Sequence, residues 1–393
     1  MSNQKYNYVI VGGGLAGASA VEGIRERDAK GSILLIGDEP HLPYHRPPLT
    51  KGLWTGKKNA KDIFVQKDDY YSLQNVEVRR GTKVISIAPE TMSVADDAGT
   101  GYGFEKLLLA TGGIPNRLRI PGGDLQGILY YRYLEDYLTL EPLAKDGKSV
   151  VIIGGGFIGT EIAAALTLRN LKITMIFPEE YPCAKIFPEY LGQSILYQYR
   201  KRGIAALAGD IPTSIEKNGG MFRIHTKNAQ VIEADIVLAG IGISPSTELA
   251  KIAGLTIGDG IAVNSFLQTS NPDVYAAGDN TQFPQYWLGT TSRVEHWDNA
   301  LNQGKQAGKN MAGANEPYNY LSYFFSDLFD LGYEAVGEID SRMQTRAEWQ
   351  EENLKGIVYY LRDNKTRGML MCNVWDNVEH ARSLIIQETG RSK

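Results

Sequence analysis

Two short strings place glycines where a chain could hold a pyrophosphate. VIVGGGLAGASA, Val9 to Ala20, carries Gly12, Gly14 and Gly17, and VIIGGGFIGTEIAAAL, Val151 to Leu166, carries Gly154, Gly156 and Gly159 in the same Gly-x-Gly-x-x-Gly spacing. The first glycine of such a string makes a tight turn, the second lets backbone amides approach a phosphate, and the third lets a helix pack on a strand. The helix that follows offers the anion unpaired N–H groups and the positive end of its dipole. One string alone is also compatible with a turn that binds nothing. Both, however, follow an apolar run of strand length, and both are followed by a second apolar run ending at an acid. Ile33 to Ile36 leads to Asp38 and Glu39, and Lys172 to Phe177 leads to Glu179. An acid about twenty residues beyond the glycines is placed to accept hydrogen bonds from an adenosine ribose. The sequence therefore points to two bound dinucleotides. Glu179 would repel a 2′-phosphate and Lys185 is the nearest cation after it, which favours NADH over NADPH at the second string.

A third stretch, PYHRPPLTKGLW from Pro43 to Trp54, combines a Pro-Pro step with Arg46 and Lys51. It follows the strand ending at Ile36, and the two prolines reduce the freedom lost in fixing it. A stiffened surface loop is the plain alternative. Two more strand-and-turn segments, LLLATGG (Leu107 to Gly113, with Thr111 and Gly112) and VYAAGD (Val274 to Asp279), flank the second glycine string. The first domain is thus expected to be split by the second. The expected fold is α/β: two Rossmann-like dinucleotide-binding domains, 1–120 with 243–315 and 121–242, then a small C-terminal α+β domain over 316–393. In the last, GIVYYLRDN and GMLMCNVWDN read as a hairpin turning over Asp363 to Gly368.

Composition excludes some functions. A formal charge of −4 over 393 residues argues against nucleic acid or an anionic membrane as partner. The only two cysteines, Cys183 and Cys372, are far apart, so neither a near-neighbour redox disulfide nor a cysteine-rich metal site is expected. No apolar run reaches the ~18 residues of a membrane helix. The strand-like start at Tyr6 leads straight into the glycine string, so a complete, untargeted, cytoplasmic chain is expected.

The order of glycine string, ATGG and AAGD resembles that of two-dinucleotide flavoprotein reductases of the glutathione-reductase-like fold. PYHRPPLTK, IIGGGFIGTE and RVEHWDNA (Arg293 to Ala300) resemble the branch holding apoptosis-inducing factor and oxygenase-coupled ferredoxin reductases. FPEYL, SDLFDLGYEAVGEID and YYLRDN look closer to apoptosis-inducing factor. The resemblance implies FAD in the first domain and NAD(H) in the second. FAD would meet Gly12, Gly14, Gly17, Asp38, Glu39, Arg46, Lys51, Thr111, Gly112, Asp279, Glu295, His296, Trp297 and Phe325. NAD would meet Gly154, Gly156, Phe157, Ile158, Gly159, Glu161, Glu179, Lys185 and Gly242. The resemblance implies that Lys51 pairs with Glu161 beside the flavin ring and helps position the nicotinamide. A carboxylate in the first turn of a helix is also stabilised by the dipole alone. Where relatives carry tryptophan before Ser-Asp, this chain has Phe325, which leaves the shielding of the flavin open. No counterpart is expected of the long regulatory insertion that apoptosis-inducing factor carries between Asp340 and Gly356, nor of its targeting and anchor segments.

The expected function is an FAD-dependent NADH oxidoreductase, monomeric or homodimeric. Without a cysteine pair its electrons would leave the flavin directly, first to a one-electron carrier such as ferredoxin or rubredoxin. The alternative is a sensor resembling apoptosis-inducing factor, with a long-lived charge-transfer complex and a protein-binding role.

Overall fold

The apolar run after Lys5 becomes a central strand because other strands flank it on both edges and packing covers both its faces. In the computed structural model, which describes residues 4–67 and 69–391, β1 (Gln4–Val11) lies between β2 (Ile33–Ile36) and the strand Gly101–Leu109, parallel to both. The sheet order is Val76–Arg79, β2, β1, Gly101–Leu109, Ser93–Asp96, Val84–Ala88, and Val274–Ala276 adds a further parallel partner to Gly101–Leu109. The glycine string after β1 leads into helix α1 (Leu15–Arg25). Apolar side chains of β1 alternate between two cores: Tyr8 and Ile10 face one, Val9 and Val11 the other.

The same construction recurs with β3 (Ser149–Ile153), α2 (Phe157–Leu166) and β4 (Lys172–Phe177). Their sheet is all parallel, in the order Ala205–Ala208, β4, β3, Ile236–Ala239, Ile128–Leu129. A three-stranded antiparallel sheet, Pro212–Asn218 with Met221–Thr226 and Val231–Ala234, closes one core, to which it contributes Ile215, Phe222 and Ile224.

The chain forms two compact units. One comprises Met1–His45, Lys61–Ile114 and Ser244–Tyr323, and the other Arg46–Ala60, Pro115–Ile243 and Phe324–Lys393. Arg46–Ala60, placed above with 1–120, thus packs in the second unit. The C-terminal segment has its own sheet but belongs to that second unit. Its five strands run in the order β5 (Tyr323–Leu328), Leu331–Gly337, Lys365–Cys372, Lys355–Arg362, Gln344–Glu351, with helix Val378–Thr389 packed on two of them. The hairpin is tighter than expected. Asp363 and Asn364 both take positive φ, 52° and 58°, the two-residue turn that suits the twist of paired strands, so Lys365 to Gly368 is already strand.

Within the first unit, α1 crosses helix α3 (Trp297–Met311) at backbone distance. A Cβ on Gly304 would lie 2.2 Å from the Ala16 carbonyl oxygen, one on Gly308 2.1 Å from that of Ala20, and one on Gly23 2.0 Å from that of Lys305. Glu26 closes the far end by pairing with Lys305 at 2.6 Å and Lys309 at 2.9 Å. The crossing fixes the start of α3, and hence His296 and Trp297, relative to the first glycine string. Gly308→Ala should force the helices apart and cost about 1–3 kcal/mol, read as a lowered denaturation midpoint.

No helix among the described residues is long and apolar enough to cross a membrane.

Candidate functional site

Three turns converge at the C-terminal ends of parallel strands in the first unit, the place where open α/β sheets bind ligands. Gly12 has φ +128°, and a Cβ there would sit 2.1 Å from the Ala110 carbonyl oxygen; one on Gly17 would sit 2.1 Å from the Gly12 oxygen. Gly14 has nothing within 4 Å of the same position and caps α1 without a side-chain bond. The turn Gly278-Asp279 abuts Ala16, whose Cβ lies 3.2 Å from a Cβ built on Gly278. Glu39 accepts a 2.5 Å bond from Tyr44, and Asp38 beside it is exposed. Gly112, at φ +64°, and Thr111 form the turn after Leu109, where both hold Ser246: the Gly112 oxygen accepts from its amide and Thr111 Oγ1 donates to its oxygen.

At the start of α3, Glu295 pairs with Arg293, which also donates to the Asp279 oxygen at 3.1 Å. Trp297 Nε1 donates to His45 Nδ1 at 2.9 Å. His296 Nδ1 is enclosed, and burial lowers its pKa to about 4 against a weaker opposing effect of Asp279, so the ring is neutral at pH 7.

The second unit repeats the glycine geometry. Gly154 (φ +120°) would bring a Cβ to 2.3 Å from the Gly240 oxygen, Gly159 to 2.0 Å from the Gly154 oxygen, and Gly156 again has open space and caps α2 without a side chain. Both strings therefore fit a pyrophosphate: close packing where the first and third glycines lie, and an open cradle at a bare helix N-terminus between them. Phe157 and Ile158, at the mouth of the second, are 36% and 37% exposed. Glu179 follows β4, and its carbonyl accepts from Gly209; Lys185 is exposed, two residues past Cys183, whose amide donates to Gly155 O at 2.8 Å. Gly242, at φ +89°, accepts from the Asn116 amide.

Lys51 and Glu161 meet in the second unit. Lys51 Nζ lies 3.2 Å from Glu161 Oε1, with the two side chains 15% and 9% exposed. Thr50 Oγ1 donates to Glu161 Oε2 and Ser326 Oγ to Oε1, each at 2.5 Å. Lys51 also lies 4.4 Å from the Phe325 ring centroid and 3.8 Å from Asp327 Oδ2. Phe325 thus covers the ammonium with its face. Around the carboxylate, burial holds the Tyr199 and Tyr333 phenols protonated and pushes the Cys183 thiol up to about 12, so these groups add no competing negative charge. Arg46 donates to the Arg132 oxygen at 2.8 Å and lies over Tyr133. Arg46, Lys51 and Phe325 thus belong to the second unit, while the other residues expected at FAD belong to the first.

Five residues escaped the sequence reading, Ser326 at the Glu161 carboxylate among them. Asn280, fully buried, donates to Leu109 O and Thr111 Oγ1 and so ties the AAGD turn to the ATGG turn. Gln303 accepts from the Gly278 amide at 2.7 Å. His45 and Thr50 stand in the quoted PYHRPPLTK string, yet only Arg46 and Lys51 drew attention as charges. Asn280 directly follows Gly278-Asp279, and its position beside a named turn was the available signal.

The His296 shift has a consequence for acid stability. An unfolded histidine takes up a proton near pH 6.5 and the folded one only near pH 4, so the unfolded state binds more protons in between. Stability should fall as pH drops from 6.5 towards 4, and His296→Asn should flatten that slope in urea melts taken across the window.

Residues 6–304 match the family described as pyridine nucleotide-disulphide oxidoreductase, and 307–353 match the C-terminal region of apoptosis-inducing factor, mitochondrion-associated. Apoptosis-inducing factor 1 of Dictyostelium discoideum is 33% identical over 98% of this chain and 79% of its own length. The ferredoxin–NAD(+) reductase component of the anthranilate 1,2-dioxygenase system of Burkholderia cepacia is 34% identical over 84% of this chain and 81% of its own. Among solved structures, a covalent putidaredoxin reductase–putidaredoxin complex superposes with a TM-score of 0.92 at 28% identity, covering 98% of this chain and 94% of that one. With its paired glycine strings and a family match over most of its length, the chain belongs to the pyridine nucleotide-disulphide oxidoreductases.

Proposed function

We propose that the protein is an FAD-dependent NADH oxidoreductase that hands electrons singly to a small carrier protein of ferredoxin or rubredoxin type. The observation that carries this reading is the buried Lys51–Glu161 pair at 3.2 Å, with Glu161 the fifth residue of the helix that follows the second glycine string, past the first turn where it was expected. FAD, when bound, accepts a hydride from NADH and can release the two electrons one at a time. The chain's own residues bind and align. Gly12, Gly14 and Gly17 with Glu39, Thr111, Gly112 and Asp279 hold FAD. Gly154, Gly156, Gly159 and Gly242 with Phe157, Ile158 and Glu179 hold NADH. Lys51 and Glu161 fix the approach of the nicotinamide, where alignment matters more than acid–base work. Both cysteines are free thiols, and Cys183 and Cys372 are each pushed up to about 12 by burial, which leaves no dithiol to carry the electrons. Two unpaired thiols also suit a reducing compartment, and we place the protein in the cytoplasm. The likeness to a ferredoxin–NAD(+) reductase component and to a putidaredoxin reductase solved in complex with putidaredoxin supports the choice of acceptor.

A second reading, a redox sensor that keeps NAD bound after reduction, is favoured by the 98% coverage against an apoptosis-inducing factor and by the match over 307–353. Anaerobic stopped-flow reduction by NADH, followed by mixing with ferredoxin, separates the two. Fast reoxidation by the carrier is expected; a persistent long-wavelength absorbance that ferredoxin leaves undisturbed would favour the sensor.

Lys51→Ala and Glu161→Ala should each slow reduction by NADH roughly tenfold to a hundredfold with FAD still bound. Parental rates in both would remove the pair from the site. Glu179→Ala should narrow the preference for NADH over NADPH, measured as the ratio of kcat/KM for the two, and an unchanged ratio would exclude it from cofactor choice.

A further inference from the structure

Glu161 is 8% exposed, and its two oxygens are engaged by donors from two remote stretches of chain. Thr50 and Lys51 come from the end of the Pro47–Thr50 turn and the residue after it. Ser326 comes from β5, the edge strand of the C-terminal sheet. Its hydroxyl is 1% exposed as a residue and lies 2.5 Å from Glu161 Oε1, the same oxygen that meets Lys51 Nζ. The neighbours of Ser326 hold the other partner. Phe325 covers Lys51 with its ring and accepts from Nζ through its carbonyl at 3.4 Å, and Asp327 lies 3.8 Å from Nζ. Successive strand residues point to opposite faces, so Phe325 and Asp327 reach Lys51 while Ser326 between them reaches Glu161. Three consecutive residues of one strand therefore grip both members of the pair.

We infer that Ser326 is a positioning residue for hydride transfer, through which the C-terminal sheet sets the orientation of the Glu161 carboxylate and with it that of Lys51. This rests on the reading of Lys51 and Glu161 as the pair that aligns the nicotinamide. A carboxylate with one short hydroxyl bond on each oxygen has its rotamer fixed at both ends. Without Ser326, Lys51 alone would hold Oε1, and Lys51 is shared with Asp327. Thr50 holds Oε2 whatever happens at Ser326, so the loss should be partial.

The test uses the FAD-loaded full chain. Ser326→Ala should slow anaerobic reduction by NADH about tenfold, the usual scale for one hydrogen bond to a charged group. Ser326→Thr, which keeps the hydroxyl, should restore most of the rate. In a Glu161→Gln background, Ser326→Ala should add little further loss, because the serine acts through the glutamate. Independently of turnover, a crystal structure of Ser326→Ala should show the Glu161 carboxylate in a changed or second rotamer. A parental rate in Ser326→Ala, or a loss of equal size in the Glu161→Gln background, would overturn the inference. So would failure of Ser326→Thr to restore the rate, or an unmoved Glu161. If Glu161→Gln and Lys51→Ala themselves reduce at the parental rate, the fault lies with the site reading beneath it.

Discussion

A carboxylate placed in the interior must have its oxygens met, or its charge is too costly to keep there. At Glu161 that requirement organises the second unit. Thr50 is 111 residues away in sequence and Ser326 is 165, yet both reach the same side chain. To deliver Thr50 and Lys51, the stretch before them must be rigid. Pro47 and Pro48 start a short 3-10 turn, and the Leu49 carbonyl is held by Trp54 Nε1 at 2.8 Å and Tyr131 Oη at 2.6 Å. To deliver Ser326, β5 must reach α2 at Glu161, where Phe324 also meets Phe157 edge to face. The burial of one acid thus dictates where two otherwise unrelated segments end.

The two glycine strings are built alike and used differently. In each, the first glycine presses against the carbonyl of a neighbouring strand's end, Ala110 in one and Gly240 in the other, and the third presses against the first. Beyond the turn they diverge. Helix α1 gives its length to the glycine-lined crossing with α3, which ties its string to the scaffold of the first unit. Helix α2 turns Glu161 inward within its first six residues and brings a charge to the same end that would hold a phosphate. The start of α3 holds a neutral His296, and α2 holds Glu161 in its ion pair with Lys51.

What the sequence made legible were features that only one residue type can supply. Gly12 and Gly154 need positive φ and no Cβ, so glycine at those positions is a nearly unambiguous sign. The apolar ends of β1, Tyr8 to Val11, and of β3, Val150 to Ile153, read as buried strands because no polar residue stands within them. Lys51 and Glu161 were found through a resemblance that named both, and the structure brings them together. Thr50, Ser326, Asn280 and Gln303 were not legible. Hydroxyls and amides are common everywhere, and their role here comes from partners far away in the chain, which local pattern does not encode. The packing of Arg46–Ala60 with the second unit escaped for the same reason, since it depends on contacts with Tyr131, Arg132 and Tyr133 rather than on neighbours in sequence.

The chain's departure from the first unit at Ile114 and its return at Ser244 has a bearing on how the protein is made. A ribosome releases it from the N-terminus, and domains fold as units while that happens. The parallel sheet around β3 is complete once Ile236–Ala239 has emerged, with every strand of it contiguous in the nascent chain. The first sheet must wait for Val274–Ala276, and α1 waits for α3, which ends at Met311. Until then the Gly23 and Ala20 face of α1 has no partner. The parallel sheet around β3 is therefore complete before the first sheet, the nascent first unit stays open until most of the protein has been synthesised, and the second unit closes last, when Phe324–Lys393 has followed.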